Sequence, residues 1–228
     1  MCNFDNKSNF GYILLMRKIP DFNPATDIRF AILATDITLF TIRDGTLLIR
    51  LIPIHKPPHF LNLKGLPGGL IHPLETAEEA AKRIIEVKSH IDSKKIYLEQ
   101  LFTFSDIDRD PRGRVVSVAY MGFVPWNKLS TEEQTDRETS WWSVIKLTSS
   151  YAYDHDAILH TAISRLRSRI SYTTVIQKLL PDEFTLTELE KIYEHILSSP
   201  LDKRNFRKKI LKLNVVSPLK HKQKVGKF

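Results

Sequence analysis

Four stretches of this 228-residue chain carry residue types and spacings that could do chemistry. Pro67-Gly68-Gly69 opens the first, running through Leu70, Ile71, His72, Pro73 and Leu74 to Glu75, where glycine gives the backbone freedom to turn beside whatever it touches. The second, Ser105 to Arg114, packs three arginines and three aspartates into ten residues. Arginine forks suit bidentate binding of phosphate. The same pattern also suits a solvated loop of local ion pairs. The third, Asp154-His155-Asp156, offers metal-ligating types. It has no second His or carboxylate cluster at ligand spacing nearby, and aspartates at a helix N-terminus need no metal. The fourth, residues 203–228, carries ten Lys or Arg and no acid. Lysine and arginine read guanine edges or neutralise phosphate, and asparagine reads adenine.

Elements must position these groups. Thr76 with Glu79 predicts a capping box, and Ala77, Ala80, Ala81 and Ile84 then recur as one buried stripe of a helix over Thr76 to Lys88. Apolar and β-branched residues predict strands over Phe30 to Ile42 and Leu47 to Ile54, joined by a hairpin at Asp44-Gly45. Pro57 and Pro58 break the second strand, and a loop is expected from there to the glycine turn. Further strands are expected at Ile96 to Phe104, Val115 to Val124 and Trp141 to Leu147, the first two flanking the arginine loop. Residues 1–28 carry little pattern. Tyr151 to Ile170 reads as linker and helix, with Leu159, Ile163, Leu166 and Ile170 as an apolar stripe for the body or a second subunit.

Toward the C-terminus, a helix is expected to end at Leu179-Leu180-Pro181. Thr185 with Glu188 caps the next, Leu186 to Leu197, and Ser199-Pro200-Leu201-Asp202 opens another. On that last helix Arg204, Asn205, Lys208 and Lys212 share an arc of about 100°, while Phe206, Ile210 and Leu213 face the other way. A helix buried on one side and basic on the other, after a short turn, describes a helix-turn-helix suited to a major groove. Residues 215–224 are expected to form a basic β-wing. An ordinary small helical domain with a solvated tail is the plainer reading of the same residues.

Composition narrows the class. A 42% hydrophobic content builds a sizeable core, and the single cysteine, Cys2, excludes an internal disulfide and a cysteine metal cluster. There is no long apolar run for a membrane span, no signal-peptide core, no internal repeat and no low-complexity tract, so a soluble, cytoplasmic protein is expected. Of the net charge of +8, the last 26 residues supply +10, so everything before them sums to −2.

Gly69, Glu75 and Arg83, at these spacings, resemble the start of the Nudix box, Gx5Ex7REUxEExGU with U aliphatic. Nudix hydrolases carry metal-binding glutamates at the positions held here by Ile84, Val87 and Lys88, and glycine where His90 stands. Glu86 is kept but lies on about the opposite side of the helix. The metal site therefore reads as dismantled, with no metal or other cofactor and no hydrolase activity expected. The segments Glu99 to Phe104 and Arg109 to Tyr120, and Phe184 to Leu189 with Leu201 to Leu211, are very similar to the NrtR family of Nudix-related transcriptional regulators. That resemblance covers roughly residues 30–215 and matches less well beyond Asn214.

The resemblance implies an α+β fold: an N-terminal Nudix-like α/β/α sandwich, then a C-terminal winged helix-turn-helix. The expected layout is a sensing domain over 1–152, a linker helix over 153–170 and a DNA-binding domain over 171–228. It also implies a homodimeric repressor on palindromic operator DNA, with ADP-ribose or a related nucleotide, or in some branches a sugar, as small-molecule effector, acting on NAD metabolism genes. Arg109, Asp110, Arg112 and Arg114 become candidate ligand-binding residues. Lys203, Arg204, Asn205, Arg207, Lys208, Lys212 and Lys220 become candidate DNA-binding residues. Two rivals stand beside this: a Nudix hydrolase of ADP-ribose or related nucleotides with a basic appendage, and a general nucleic-acid module. The second lacks the aromatic platform of single-strand readers.

Overall fold

The structure is a computed structural model, and it describes residues 31–136, 140–147, 151–170, 174–213 and 216–219. At its centre is strand β1, Ile32–Arg43, buried on both faces. Residues of one parity, Ile37 and Leu39, join one apolar cluster; those of the other, Phe40 and Ile42, join a second. Threonines within this run stay satisfied. The hydroxyls of Thr35, Thr38 and Thr41 donate to the carbonyls of Val118, Tyr120 and Val124 at 2.7, 3.1 and 2.7 Å.

The predicted hairpin is present. Asp44 (φ 49°) and Gly45 (φ 75°) both have positive φ, as a two-residue type I′ turn requires, and Arg43 pairs with Thr46 to open β2, Thr46–Lys56. Beyond the proline pair the expectation of a loop is wrong. Residues Phe60–Gly65 form β3, antiparallel to β2, with Ile54 opposite Leu63. Leu61, Asn62, Leu63 and Lys64 do alternate, but over four residues only, just after two prolines and on a strand exposed or half-buried as far as Gly65. The short β4, Gly68–Leu70, pairs with β1. β5, Tyr97–Phe104, and β6, Val115–Phe123, match their predicted spans closely, and β6 runs parallel to β1. β7 is only Ser140–Ser143, against β2; a 3-10 turn, Val144–Lys146, takes the rest of the expected strand. The sheet order is β3-β2-β1-β6-β5, with β4 beside β1 and β7 beside β2.

Helices cover both faces. α1, Ala77–Ser89, is capped by Thr76 through the predicted box and packs Ala81, Ile84 and Ile85 against Ile37 and Leu39. α2, Thr131–Thr135, is a short turn capped by Ser130. α3, His155–Arg169, buries Ile158, Leu159, Ala162 and Leu166 on the other face of the sheet, with Phe40 and Ile49. The same cluster continues into the C-terminal helices through Leu189, Ile192, Ile196, Phe206 and Ile210. α4 is Leu186–Leu197, with its capping box formed by Thr185 and Glu188; α5 is Lys203–Lys212. Ahead of them the expected helix is a 3-10 turn, Val175–Lys178. Leu213 was grouped with Phe206 and Ile210, yet it is 55% exposed, because that projection runs past the last helical residue. In the wing region residues 216–219 form no strand, and 214, 215 and 220–228, including Lys220, lie outside the described residues. Among the described residues no helix is long and apolar enough to cross a membrane.

Candidate functional site

The box residues build a rigid turn beneath a cleft. Glu75 accepts the Nε of Arg83 at 2.9 Å, a second guanidinium nitrogen, and the amide of His72 at 2.8 Å. Arg83 ties the turn again through the Leu70 carbonyl at 2.9 Å. The guanidinium beside it holds the Glu75 carboxyl down at about 2. Gly68 is required by proximity: a Cβ there would collide with the carboxylate of Asp36. Lys88, one helical face along, donates its ammonium to the Gly68 carbonyl. Glu86 turns the other way and accepts the Ser93 hydroxyl at 2.6 Å. Ile84 is buried in the core and Val87 is exposed. Among the described residues no group of three His, Cys, Asp or Glu is placed to hold a metal ion.

The cleft itself measures about 410 Å³ and opens between β1, β2, the β4 turn and the arginine loop. On its floor lies a buried network that the sequence did not reveal. Arg109, with its side chain 4% exposed, donates to both oxygens of Asp154 at 2.8 and 2.6 Å and to Asp36 at 3.1 Å. Ser117 donates to Asp36 at 2.7 Å. The Leu66 amide donates to Nδ1 of His155 at 2.9 Å, so that nitrogen is unprotonated and the ring proton sits on Nε2, 3.4 Å from Asp36. Burial pushes the Asp36 carboxyl up, but His155, Ser117 and Arg109 outweigh it and leave it at about 2. Asp154 and His155, whose types suggested a metal, are thus partners of Arg109 and Asp36.

The four candidate ligand-binding residues separate in the structure. Arg109 and Asp110 are buried in the cleft wall, and Arg112 stands at its rim with its side chain 48% exposed. Arg112 forks onto Asp110 at 2.9 and 2.7 Å and lies 5.1 Å over the ring of Tyr153. Burial pushes the Asp110 carboxyl up, and Arg112 more than reverses it. Arg114 is outside the lining; it donates to the carbonyls of Ser105 and Asp106 at 2.8 and 3.0 Å and so closes the loop. Tyr153 is a lining residue that sequence reasoning missed. It has φ 57°, an uncommon and strained conformation for a tyrosine, and its ring sits 4.2 Å from that of Phe60. Lys56 and Lys88 complete the charged lining.

The second candidate surface is α5. Asp202 caps it by accepting the Asn205 amide at 2.8 Å, and Phe206 and Ile210 anchor it in the core, Phe206 against Tyr193 with ring centroids 5.1 Å apart. Lys203, Arg204, Asn205, Lys208 and Lys212 are all exposed. Arg207 differs: it is half-buried and donates to the Thr187 hydroxyl of α4 at 3.0 Å.

The core of the mixed sheet thus runs on into capped C-terminal helices whose outer face is basic. Residues 176–228 match the family model of the NrtR DNA-binding winged helix domain. The chain is 32% identical to the ADPR responsive transcriptional repressor NtrR of Acinetobacter baylyi over 207 residues, covering 89% of this chain and 81% of that protein. Its structure is similar to that of Shewanella oneidensis NrtR complexed with a 27mer DNA, at 30% identity and TM-score 0.70, covering 80% of this chain and 83% of that one. It is also similar to the NUDIX domain of the same protein complexed with ADP ribose, at 28% identity and TM-score 0.50, covering 64% of this chain and 94% of that domain. The chain belongs to the NrtR family of Nudix-related transcriptional regulators.

Proposed function

We propose that this protein is a cytoplasmic, homodimeric repressor that binds palindromic operator DNA and answers to ADP-ribose or a related nucleotide, without hydrolysing it. In this reading residues 1–152 sense the effector, 171–228 read DNA, and the segment between them, with α3, joins the two. The observation that carries it is one chain holding both a cation-rimmed cleft and an outward basic helix on a shared core. The cleft pairs the flat ring of Tyr153, backed by Phe60, with cationic groups, a combination suited to a base and a diphosphate. Support comes also from the A. baylyi repressor, named for its response to ADPR, and from the S. oneidensis structures with DNA and with ADP ribose. NAD metabolism genes are the targets this effector favours.

On the DNA side, Arg204, Asn205, Lys208, Lys203 and Lys212 are the groups we assign to the operator, and Lys220 to the wing. Catalysis is disfavoured because the helix face that must hold an ion presents Ile84, Val87 and Lys88. The test is operator binding by fluorescence anisotropy with and without ADP-ribose, alongside chromatography of ADP-ribose incubated with Mg²⁺ or Mn²⁺. Expected are an operator affinity that changes with ADP-ribose and no turnover. Metal-dependent turnover lost in Glu75→Gln or Glu86→Gln overturns the non-enzymatic reading. Operator binding indifferent to millimolar ADP-ribose overturns the nucleotide and leaves sugars to be tried.

A further inference from the structure

The arginine loop offers forks for phosphate, yet both arginines of the cleft already have carboxylates. Arg109 is held by Asp36 and Asp154, and Arg112 by Asp110. The charged lining is Lys56, Lys88, Arg109 and Arg112 against Asp36 and Asp110. With those pairs made, two ammonium groups remain, and among the described residues neither Lys56 nor Lys88 forms an ion pair with a carboxylate. Lys88 is also aimed. An ammonium has three donors, and Lys88 uses one on the Gly68 carbonyl at the floor of the turn, which fixes it at the cleft and leaves two for a ligand. Its surroundings are short of negative charge: burial, then Lys56, then Arg83 and Arg112 lower its pKa, with Asp36 acting the other way. An anion placed there relieves that mutual repulsion.

A divalent cation does not fit the same place. It needs several oxygen ligands, and the helix face beside the turn supplies an aliphatic side chain in the core, an exposed valine and a fixed positive charge. We propose that the cleft grips a diphosphate dianion without any divalent cation, through the ammonium groups of Lys88 and Lys56, with Lys88 standing where hydrolases of this fold place a metal-binding carboxylate. This rests on the nucleotide reading above and assigns its anion subsite to residues outside the arginine loop.

The experiment is titration calorimetry of the full chain with two probes, ADP-ribose and inorganic pyrophosphate, each in EDTA and in Mg²⁺. The variants are Lys88→Met, Lys56→Met and Lys94→Met, the last an exposed lysine outside the lining; melting curves accompany each to show that the chain still folds. The expected result is an ADP-ribose affinity equal within about twofold in EDTA and Mg²⁺, weakened roughly tenfold or more by Lys88→Met, as for loss of a charge-assisted hydrogen bond, and unchanged by Lys94→Met. Lys56→Met weakens it less. Binding of either probe that requires Mg²⁺, or that ignores Lys88→Met, overturns the proposal while the nucleotide reading stands. Lys88-dependent binding of pyrophosphate without binding of ADP-ribose supports the anion subsite and overturns the nucleotide. Binding of neither overturns both.

Discussion

At the scale of the residue, the decisive group is Arg109, because it converts two isolated acids into a satisfied network. Removing one member of a buried pair leaves the others charged in a poor solvent, so Arg109→Met is expected to cost about 3–5 kcal/mol of stability in urea unfolding. Arg112→Ala removes an arginine that is half in water and leaves the buried Asp110 its bond from the Arg112 amide, so it is expected to cost less, about 1–2 kcal/mol. If the two variants unfold alike, Arg109 is not the centre of the network. Acid gives a second check. Asp36 titrates at about 2 in the folded chain, below its ordinary 3.8. A lowered carboxyl adds stability above its unfolded pKa and loses it as pH falls through the folded one. The wild type should therefore lose more stability between about pH 4 and pH 2 than Asp36→Asn does, measured as urea midpoints across that window. Parallel pH profiles for the two would remove Asp36 from the account.

At the scale of the element, α5 supports a comparison that its sequence alone does not. Arg204 and Arg207 are the same side chain one turn apart, but Arg204 is exposed and Arg207 leans back onto Thr187. Arg204→Ala is expected to cost operator affinity about 1–3 kcal/mol and to relax one operator position, and Arg207→Ala to cost distinctly less, both read by anisotropy against single-base operator variants. The elements legible in the sequence were those with a period and a cap. β1 and β2 with their Asp44-Gly45 turn, and α1 and α4 with their threonine boxes, were read to within a residue or two. β3 was missed because its alternation spans only Leu61 to Lys64 and stands just after two prolines, with no cap or turn signal to support it. The site was legible only in part, for a related reason. Asp36 lies inside an apolar run, and Asp154 and His155 find their partners more than forty positions away, so local spacing says nothing of the network. Tyr153 announces itself only through its backbone angle.

At the scale of the whole molecule, α3 connects the cleft to the C-terminal helices that we propose read DNA. Its first turn carries His155 beneath the cleft, with Asp154 as its cap residue. Its last turn carries Arg167, which donates to the Ile196 carbonyl at 2.8 Å and the Ser198 hydroxyl at 2.9 Å where α4 ends, and Arg169, which pairs with Glu99 of β5. A ligand shifts an equilibrium only by its differential affinity for the two states. Arg167→Met is therefore expected to leave ADP-ribose affinity in the absence of DNA nearly unchanged and to shrink the ADP-ribose effect on operator binding, measured as the ratio of operator affinities with and without effector. An undiminished ratio would place the coupling elsewhere. The continuous core also predicts one cooperative calorimetric transition for the described chain, because Phe206 and Ile210 belong to the same apolar cluster as Phe40 and Ile49.

That shared cluster has a consequence for transplanting specificity between relatives. The residues of α5 that meet solvent are the ones to exchange, since Arg204, Asn205 and Lys208 are exposed and lie outside the apolar cluster. The residues on its inner side, and those of α4 that lie against β2, are cut to fit this sheet. A chimera made at the outer face should keep its effector response while changing its target sequence. One spliced after Ile170 would import a foreign inner surface, and its first failure would be solubility rather than recognition.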